Sequence, residues 1–307
     1  TTGEYIDKFE SKISEFTGSK YAICVNSGTS ALHVSLVVAG VKPNEEVLIP
    51  SLSFVATANA VKYCFAEPHF VDVDVNTMGI CPNKLKKYLS QIAYFKNGNT
   101  YNKKTKKKIS ALIAVHMYGH PCKIDEIKKI IKDYNIELIE DSAESLGSFY
   151  KNIHTGTFSN YGCLSFNGNK IITTGGGGAV ITDSKIISKK IRHLISTSKI
   201  PHKWKIFHDD LGWNYRMPNI NAALGYSQIN RIRKLIRIKR KIAKNYYNHF
   251  VNSKKIQFMY EPEKSKSNYW LNTININSNS YAIRNRILEE LNNLGLNCRP
   301  AWTLLHK

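Results

Sequence analysis

Ser165-Phe166-Asn167-Gly168-Asn169-Lys170, continued by Ile171-Ile172-Thr173-Thr174 and the four glycines Gly175 to Gly178, sets one lysine five residues after a serine and just before a very flexible turn. An amine held in this way can form an imine with an aldehyde. Taken alone, the stretch fits an exposed lysine beside a Gly-rich turn better than it fits such an amine. The elements on either side of it decide between the two readings.

Upstream, apolar runs alternate between the period of a strand and that of a helix. Ile6, Phe9, Ile13 and Phe16 share one face of a helix that stops at Gly18. The spacing then predicts strands over 21–25, 47–49, 70–73, 109–115 and 136–140. Between them it predicts helices over 29–39, 54–63, 82–92 and 124–134. Such alternation predicts a mainly parallel sheet covered by helices on both faces, an α/β/α sandwich. Downstream, a strand over 179–182 and a helix over 184–196 precede an irregular stretch rich in aromatics and His over 197–217. A long helical region comes next over 218–250, then strands near 256–259 and 270–276 and a helix near 281–294. The expected organisation is a large α/β domain over 1–235 and a smaller, incomplete C-terminal α/β domain over 236–307. The absence of an initiator Met and the abrupt end at Leu305-His306-Lys307 suggest residues missing at both ends.

The chain has 307 residues and a formal charge of +21, from 44 Lys and Arg against 23 Asp and Glu. Nucleic-acid binding, attraction of anionic small molecules and compositional drift towards Lys, Asn and Ile all fit that charge, and no nucleic-acid-binding motif accompanies it, so the charge alone decides little. Lys103-Lys104-Thr105-Lys106-Lys107-Lys108 reads as a solvated loop in a polar insert. Arg231 to Lys244 carries eight basic residues, but Ile232, Leu235, Ile236 and Ala243 recur at helical spacing, the pattern of a buried stripe with a wet basic face. Six scattered cysteines without a CxxC pair argue against a structural metal or a disulfide framework. With no signal peptide and no apolar run long enough to span a membrane, a cytoplasmic protein with reduced thiols and no membrane partner is expected.

In sheets of this kind ligands bind beyond the carboxyl ends of the strands, and five polar clusters lie there. Asn26-Ser27-Gly28-Thr29-Ser30 offers helix N-terminal N–H groups and hydroxyls to an anion, or simply an N-cap. Phe54, after Pro50-Ser51-Leu52-Ser53, can stack on a flat ring or join the core. His116-Met117-Tyr118-Gly119-His120 lacks the further ligands a metal needs. Asp141, in Glu140-Asp141-Ser142-Ala143-Glu144, can face a protonated pyridine nitrogen or cap a helix. The lysine stretch is the fifth. A phosphate cradle, a stacking aromatic, a ring carboxylate and an imine lysine are the four parts that a pyridoxal phosphate (PLP) site requires.

Five segments together resemble one family: 27–33 (SGTSALH), 50–60 (PSLSFVATANA), 140–144 (EDSAE), 165–170 (SFNGNK) and 212–217 (GWNYRM). They are similar to the DegT/DnrJ/StrS family of PLP-dependent sugar aminotransferases, which have the aspartate aminotransferase fold (fold type I). The resemblance covers essentially the whole chain. It implies that Lys170 holds PLP and shuttles protons and that Asp141 pairs with the pyridine nitrogen. It also implies that Thr29, Ser30 and Ser165 bind the phosphate, that Phe54 stacks on the ring, and that Asn214 reaches the phosphate of the neighbouring subunit across a homodimer. Glu144 stands near the cofactor where many relatives carry Gln. Tyr118, and His306 in the Arg299–His306 segment, are implied substrate contacts.

Two departures bear on the chemistry. Gly176 replaces the acid of the family's usual Thr-Thr-Gly-Glu-Gly-Gly turn. Lys170 is retained where some relatives carry His and act as sugar dehydratases. The implied reaction moves an amino group from L-glutamate to a nucleotide-linked keto-sugar. The stretches at 2–5 and 66–74 look closest to enzymes acting on UDP- or GDP-4-keto-6-deoxy-N-acetylhexosamines, which make bacillosamine or legionaminic acid for bacterial surface glycans. Alternatives are another PLP enzyme of this fold, such as a sugar dehydratase or an amino-acid aminotransferase, and a non-catalytic PLP-binding regulator.

Overall fold

A computed structural model describes residues 3–278 and 280–307. Thr2 of the 2–5 stretch lies outside the described residues. The centre is a seven-stranded sheet in the spatial order Tyr21–Val25, Gly178–Thr182, Gly162–Ser165, Glu137–Asp141, Ile109–Val115, Glu46–Pro50, Glu67–Val71. Gly178–Thr182 runs antiparallel to both of its neighbours, and all other neighbours are parallel. The mainly parallel α/β expectation is met.

Pleating explains how nearly continuous apolar strands serve two faces. Val47 and Ile49 enter one apolar cluster and Leu48 the other. Along Ile109–Val115, Ala111, Ile113 and Val115 face the first cluster while Leu112 and Ala114 face the second. Helices Glu4–Thr17, Gly28–Val38, Val55–Tyr63 and Lys185–Leu194 supply the first layer through residues such as Phe9, Ile13, Leu32, Val61 and Ile191. Pro82–Ile92 and Ile124–Lys132 supply the second through Leu85, Leu89, Ile127 and Ile131. Each such side chain, fully buried, contributes about 1.5–3 kcal/mol.

Three local expectations change. The polar insert is a hairpin, Ala93–Lys96 paired with Asn99–Asn102, because Tyr94 and Tyr101 stack across it. The lysine run is only its exposed exit. The helical region over 218–250 divides into Asn219–Ile229 and Ile232–Phe250, with the break at Asn230-Arg231. The 270–276 strand keeps only Ile274–Ile276, since Tyr269 turns to a left-handed φ of 50° and Trp270 points into the site. Along Ile232–Phe250 the packing changes partner. Ile232 and Ile236 join the main cluster, whereas Ala243 packs with Phe258 and Tyr269 in a separate one.

Candidate active site

Lys170 closes a turn in which its own N–H donates to the Asn167 carbonyl at 3.0 Å. Its side chain is 13% exposed, so the surface reading fails. The ammonium nitrogen lies 3.5 Å from Glu144 Oε1 and 3.8 Å from the centre of the Trp270 ring system. Burial pulls the Lys170 amine below the usual lysine range, against the opposing pull of the Glu144 and Asp141 carboxylates. Glu144 moves the other way: burial lifts it to about 7, with Lys170 opposing. Both shifts favour the uncharged partners, the acid with its proton and the amine without one.

Asp141 ends its strand with a buried carboxylate. Oδ2 accepts from Thr57 Oγ1 at 2.8 Å and Oδ1 from the Ala143 N–H at 3.2 Å. Thr57 is itself held by Ser53 at 2.7 Å. No α-helix starts at Asp141, the next being Lys185–Leu194, which removes the N-cap alternative. Burial raises the acid, while Thr57, Ala143 and the charge on Lys170 favour its ionised form. Glu144 sits three residues further on, and its Oε2 accepts from the Tyr118 N–H at 2.7 Å. Tyr118 reaches that geometry with a left-handed φ of 55°, a conformation that costs about 1–3 kcal/mol and is held by such contacts. Its side chain is buried under Trp302, with ring centres 5.2 Å apart.

At the start of the Gly28–Val38 helix the cap is Ser27, whose hydroxyl accepts from the Ser30 N–H at 3.0 Å. Ser30 Oγ turns back to Asn26 Oδ1 at 2.6 Å. That leaves Thr29 Oγ1 and the N–H groups of Gly28 and Thr29 without partners among the described residues. The Ser165 side chain packs against this helix start. A Cβ built on Gly28 would lie 2.8 Å from Ser165 Cβ, and one on Gly178 would lie 2.6 Å from the Ser27 backbone. The glycine run thus serves close approach at Gly178, while a Cβ at Gly176 would meet only open space.

Phe54 is 53% exposed, with its ring 5.3 Å from Trp302, so it is a rim residue and not core. Asn214 is exposed beside the Asn26 side chain, which donates to its carbonyl at 3.3 Å. His306 is not brought to Lys170; it lies against Phe70 on the outermost strand. Burial by itself would lower His116, but the Cys122 sulfur and the Glu140 carboxylate, 3.6 and 3.1 Å away, outweigh it and hold the ring protonated up to about 10. Among the described residues no group of three His, Cys, Asp or Glu is placed to hold a metal, and no helix is long and apolar enough to cross a membrane.

Sequence reasoning passed over Thr57 and Trp270. Thr57 had a signal, a hydroxyl on the buried face of an apolar helix one turn after Phe54. Trp270 had none, since only the tertiary fold brings it to a lysine 100 positions earlier.

The profile of the DegT/DnrJ/EryC1/StrS aminotransferase family matches residues 1–307. GDP-perosamine synthase of Escherichia coli O157:H7 is 35% identical over 304 residues, 99% of this chain and 78% of that protein. UDP-4-amino-4,6-dideoxy-N-acetyl-beta-L-altrosamine transaminase of Campylobacter jejuni is 31% identical over 297 residues, 96% of this chain and 75% of that one. Among solved structures, Spr1654 of Streptococcus pneumoniae in its PLP form superposes with a TM-score of 0.87 at 24% identity, covering 99% of this chain and 79% of that one.

Proposed function

This chain belongs to the DegT/DnrJ/EryC1/StrS aminotransferase family and is a PLP-dependent aminotransferase, and we propose that it aminates a nucleotide-linked keto-sugar with L-glutamate as donor. The residues present fit the cofactor. Asp141 is a buried carboxylate whose hydrogen-bond partners are a hydroxyl and an amide, which leaves it suited to a protonated ring nitrogen. The bare Gly28 and the unpaired donors of Gly28 and Thr29 leave a cradle for an anion that a Cβ would crowd. When bound, PLP supplies an electron sink that lets the C–H bond beside the transferred nitrogen break.

The chain's own residues then have separate tasks. Lys170 gives and takes the proton at its Nζ, and its burial favours the neutral, basic form of the amine. Glu144, poised near 7, accepts or returns a proton at Oε1. Asp141, braced by Thr57 and Ser53, holds negative charge at the base of the site. Thr29, Ser30 and Ser165 would hold the phosphate with the helix N-terminus. Tyr118, Phe54 and Trp302 wall the mouth and exclude water. Asn214, exposed at the surface, is assigned to the neighbouring subunit's site in a homodimer, and we keep the division between a large domain over 1–235 and a small one over 236–307, which the change of packing partner between Ile236 and Ala243 supports.

The buried Lys170 amine between Glu144, Asp141 and Trp270 carries this reading. For the substrate, the named relatives support a 4-keto-6-deoxyhexose on GDP or UDP, and we assign the N-acetylated form as in the C. jejuni transaminase. The test is to incubate the PLP-loaded protein with glutamate and 4-keto-6-deoxy sugars on either nucleotide, following 2-oxoglutarate and the aminated sugar by mass spectrometry. Stoichiometric amination, lost in Lys170→Ala, is expected. Amination of amino-acid skeletons alone, or dehydration without amine transfer, would refute the reading.

A further inference from the structure

We propose that Trp270 is a positioning residue for Lys170, by which the C-terminal segment 267–271 sets the lysine turn. The inference rests on Lys170 being the reactive amine. The Trp270 indole N–H donates to the Asn169 carbonyl at 2.7 Å, the residue immediately before the lysine. The ring itself lies under Nζ at 3.8 Å, within cation–π range. One side chain therefore grips both the backbone of the turn and the tip of the lysine.

Trp270 is in turn immobilised from three directions. Its N–H donates to Asn268 Oδ1 at 2.8 Å, and its carbonyl accepts from Lys239 Nζ at 2.9 Å. Asn268 Nδ2 donates to the carbonyls of Glu144 and Leu146 at 2.9 and 3.0 Å, so the same segment is tied to the loop bearing the second acid. Across the gap lies Gly119, at a left-handed φ of 94°, where a Cβ would collide with Asn268 and crowd the Trp270 backbone. Ser267 Oγ and Ser148 Oγ both donate to the Gly119 carbonyl, at 2.8 and 2.7 Å. A tryptophan serving only to fill space has no need to direct its N–H at the lysine turn or to be anchored on both flanking loops. Burial acts on the lysine's charge in one sense and the Glu144 and Asp141 carboxylates in the other, so the role assigned to Trp270 is placement.

The experiment measures how fast Lys170 captures PLP. Full-length protein stripped of cofactor is mixed with saturating PLP, and the first-order growth of the visible absorbance band is followed. Binding of inorganic phosphate is measured in parallel. Trp270→Leu removes ring and donor, and Trp270→Phe keeps a ring but loses the N–H. The expected result is capture about tenfold slower in Trp270→Leu, as misplacement of a reacting group predicts, with Trp270→Phe in between and phosphate affinity unchanged in both. Rates within twofold of wild type in both variants would overturn the inference and leave the assignment of Lys170 standing. Slowing accompanied by an equal loss of phosphate affinity would also overturn it, because that marks a general loss of structure. A band that survives Lys170→Ala would instead overturn the assignment of the lysine and the inference with it.

Discussion

Replacing Glu144 by glutamine should make the cofactor-free protein more stable, by an amount that grows with pH. The wild-type carboxyl is lifted by burial from an unfolded value of 4.5 to about 7. Between those values the native state keeps a proton that the unfolded state has released, so wild-type stability falls as pH rises through this window. A shift of about 2.5 pH units corresponds to about 3 kcal/mol, at 1.36 kcal/mol per unit. Glutamine is isosteric, keeps an acceptor for the Tyr118 N–H and has nothing to titrate. Below pH 4.5 the two proteins should therefore differ little. By pH 7.5 Glu144→Gln should be ahead by up to about 3 kcal/mol, with most of the gain between pH 5 and 7. The assay is urea unfolding followed by tryptophan fluorescence at fixed protein concentration, at half-unit steps from pH 4.5 to 8. A difference flat to within about 0.5 kcal/mol would refute the reasoning. So would one of opposite sign, which would mean that Lys170 stabilises the carboxylate more than burial destabilises it.

Three further outcomes are expected. Asp141→Asn should lower amine-transfer turnover roughly 10- to 1000-fold, the factor that matches loss of a charge favouring the ring nitrogen's proton by 1–3 pKa units; turnover within twofold of wild type would count against its role. Gly28→Ala should weaken PLP affinity, measured by equilibrium dialysis, with overpacking against Ser165 costing about 1–3 kcal/mol of stability; unchanged affinity would show that the cradle lies elsewhere. Glu140→Gln should destabilise the protein by about 3–5 kcal/mol by leaving the His116 cation buried without its carboxylate. Because His116 stays protonated to about 10 against 6.5 unfolded, the pair's contribution is complete below pH 6.5 and lost as pH rises towards 10. Urea titrations across that range would show a constant deficit if the pair were not ionised.

Legibility in the sequence tracked the range of the interactions involved. Strands such as Ile109–Val115 were visible because burial on both faces demands an uninterrupted apolar run. The polar clusters were visible because each sits in the few residues after such a run. Asp141, Ser165 and Lys170 were singled out this way, and burial with the surrounding segments then removed the N-cap reading of Asp141 and the surface reading of Lys170. Trp270 could not be found, since nothing local marks a residue whose task is to reach another segment. Nor could the identity of the N-cap, left open within Asn26–Ser30, which the structure gives to Ser27. The hairpin over 93–102 escaped because its pairing rests on cross-strand aromatics in a segment whose composition resembles a loop.

The reversed strand Gly178–Thr182 has a consequence for how the chain is made. Tyr21 pairs with Thr182, 161 positions later, and among the described residues Tyr21–Val25 has no other strand beside it in the sheet, only a single bridge from Val25 to Arg216. At 5–20 residues per second a ribosome needs roughly 10–30 s to deliver that partner. Throughout this interval the first strand waits with an unpaired edge, and the sheet cannot close around Lys170 until residues beyond Thr182 have emerged. A pairing that closes a loop of this length is the kind of non-local contact that slows folding.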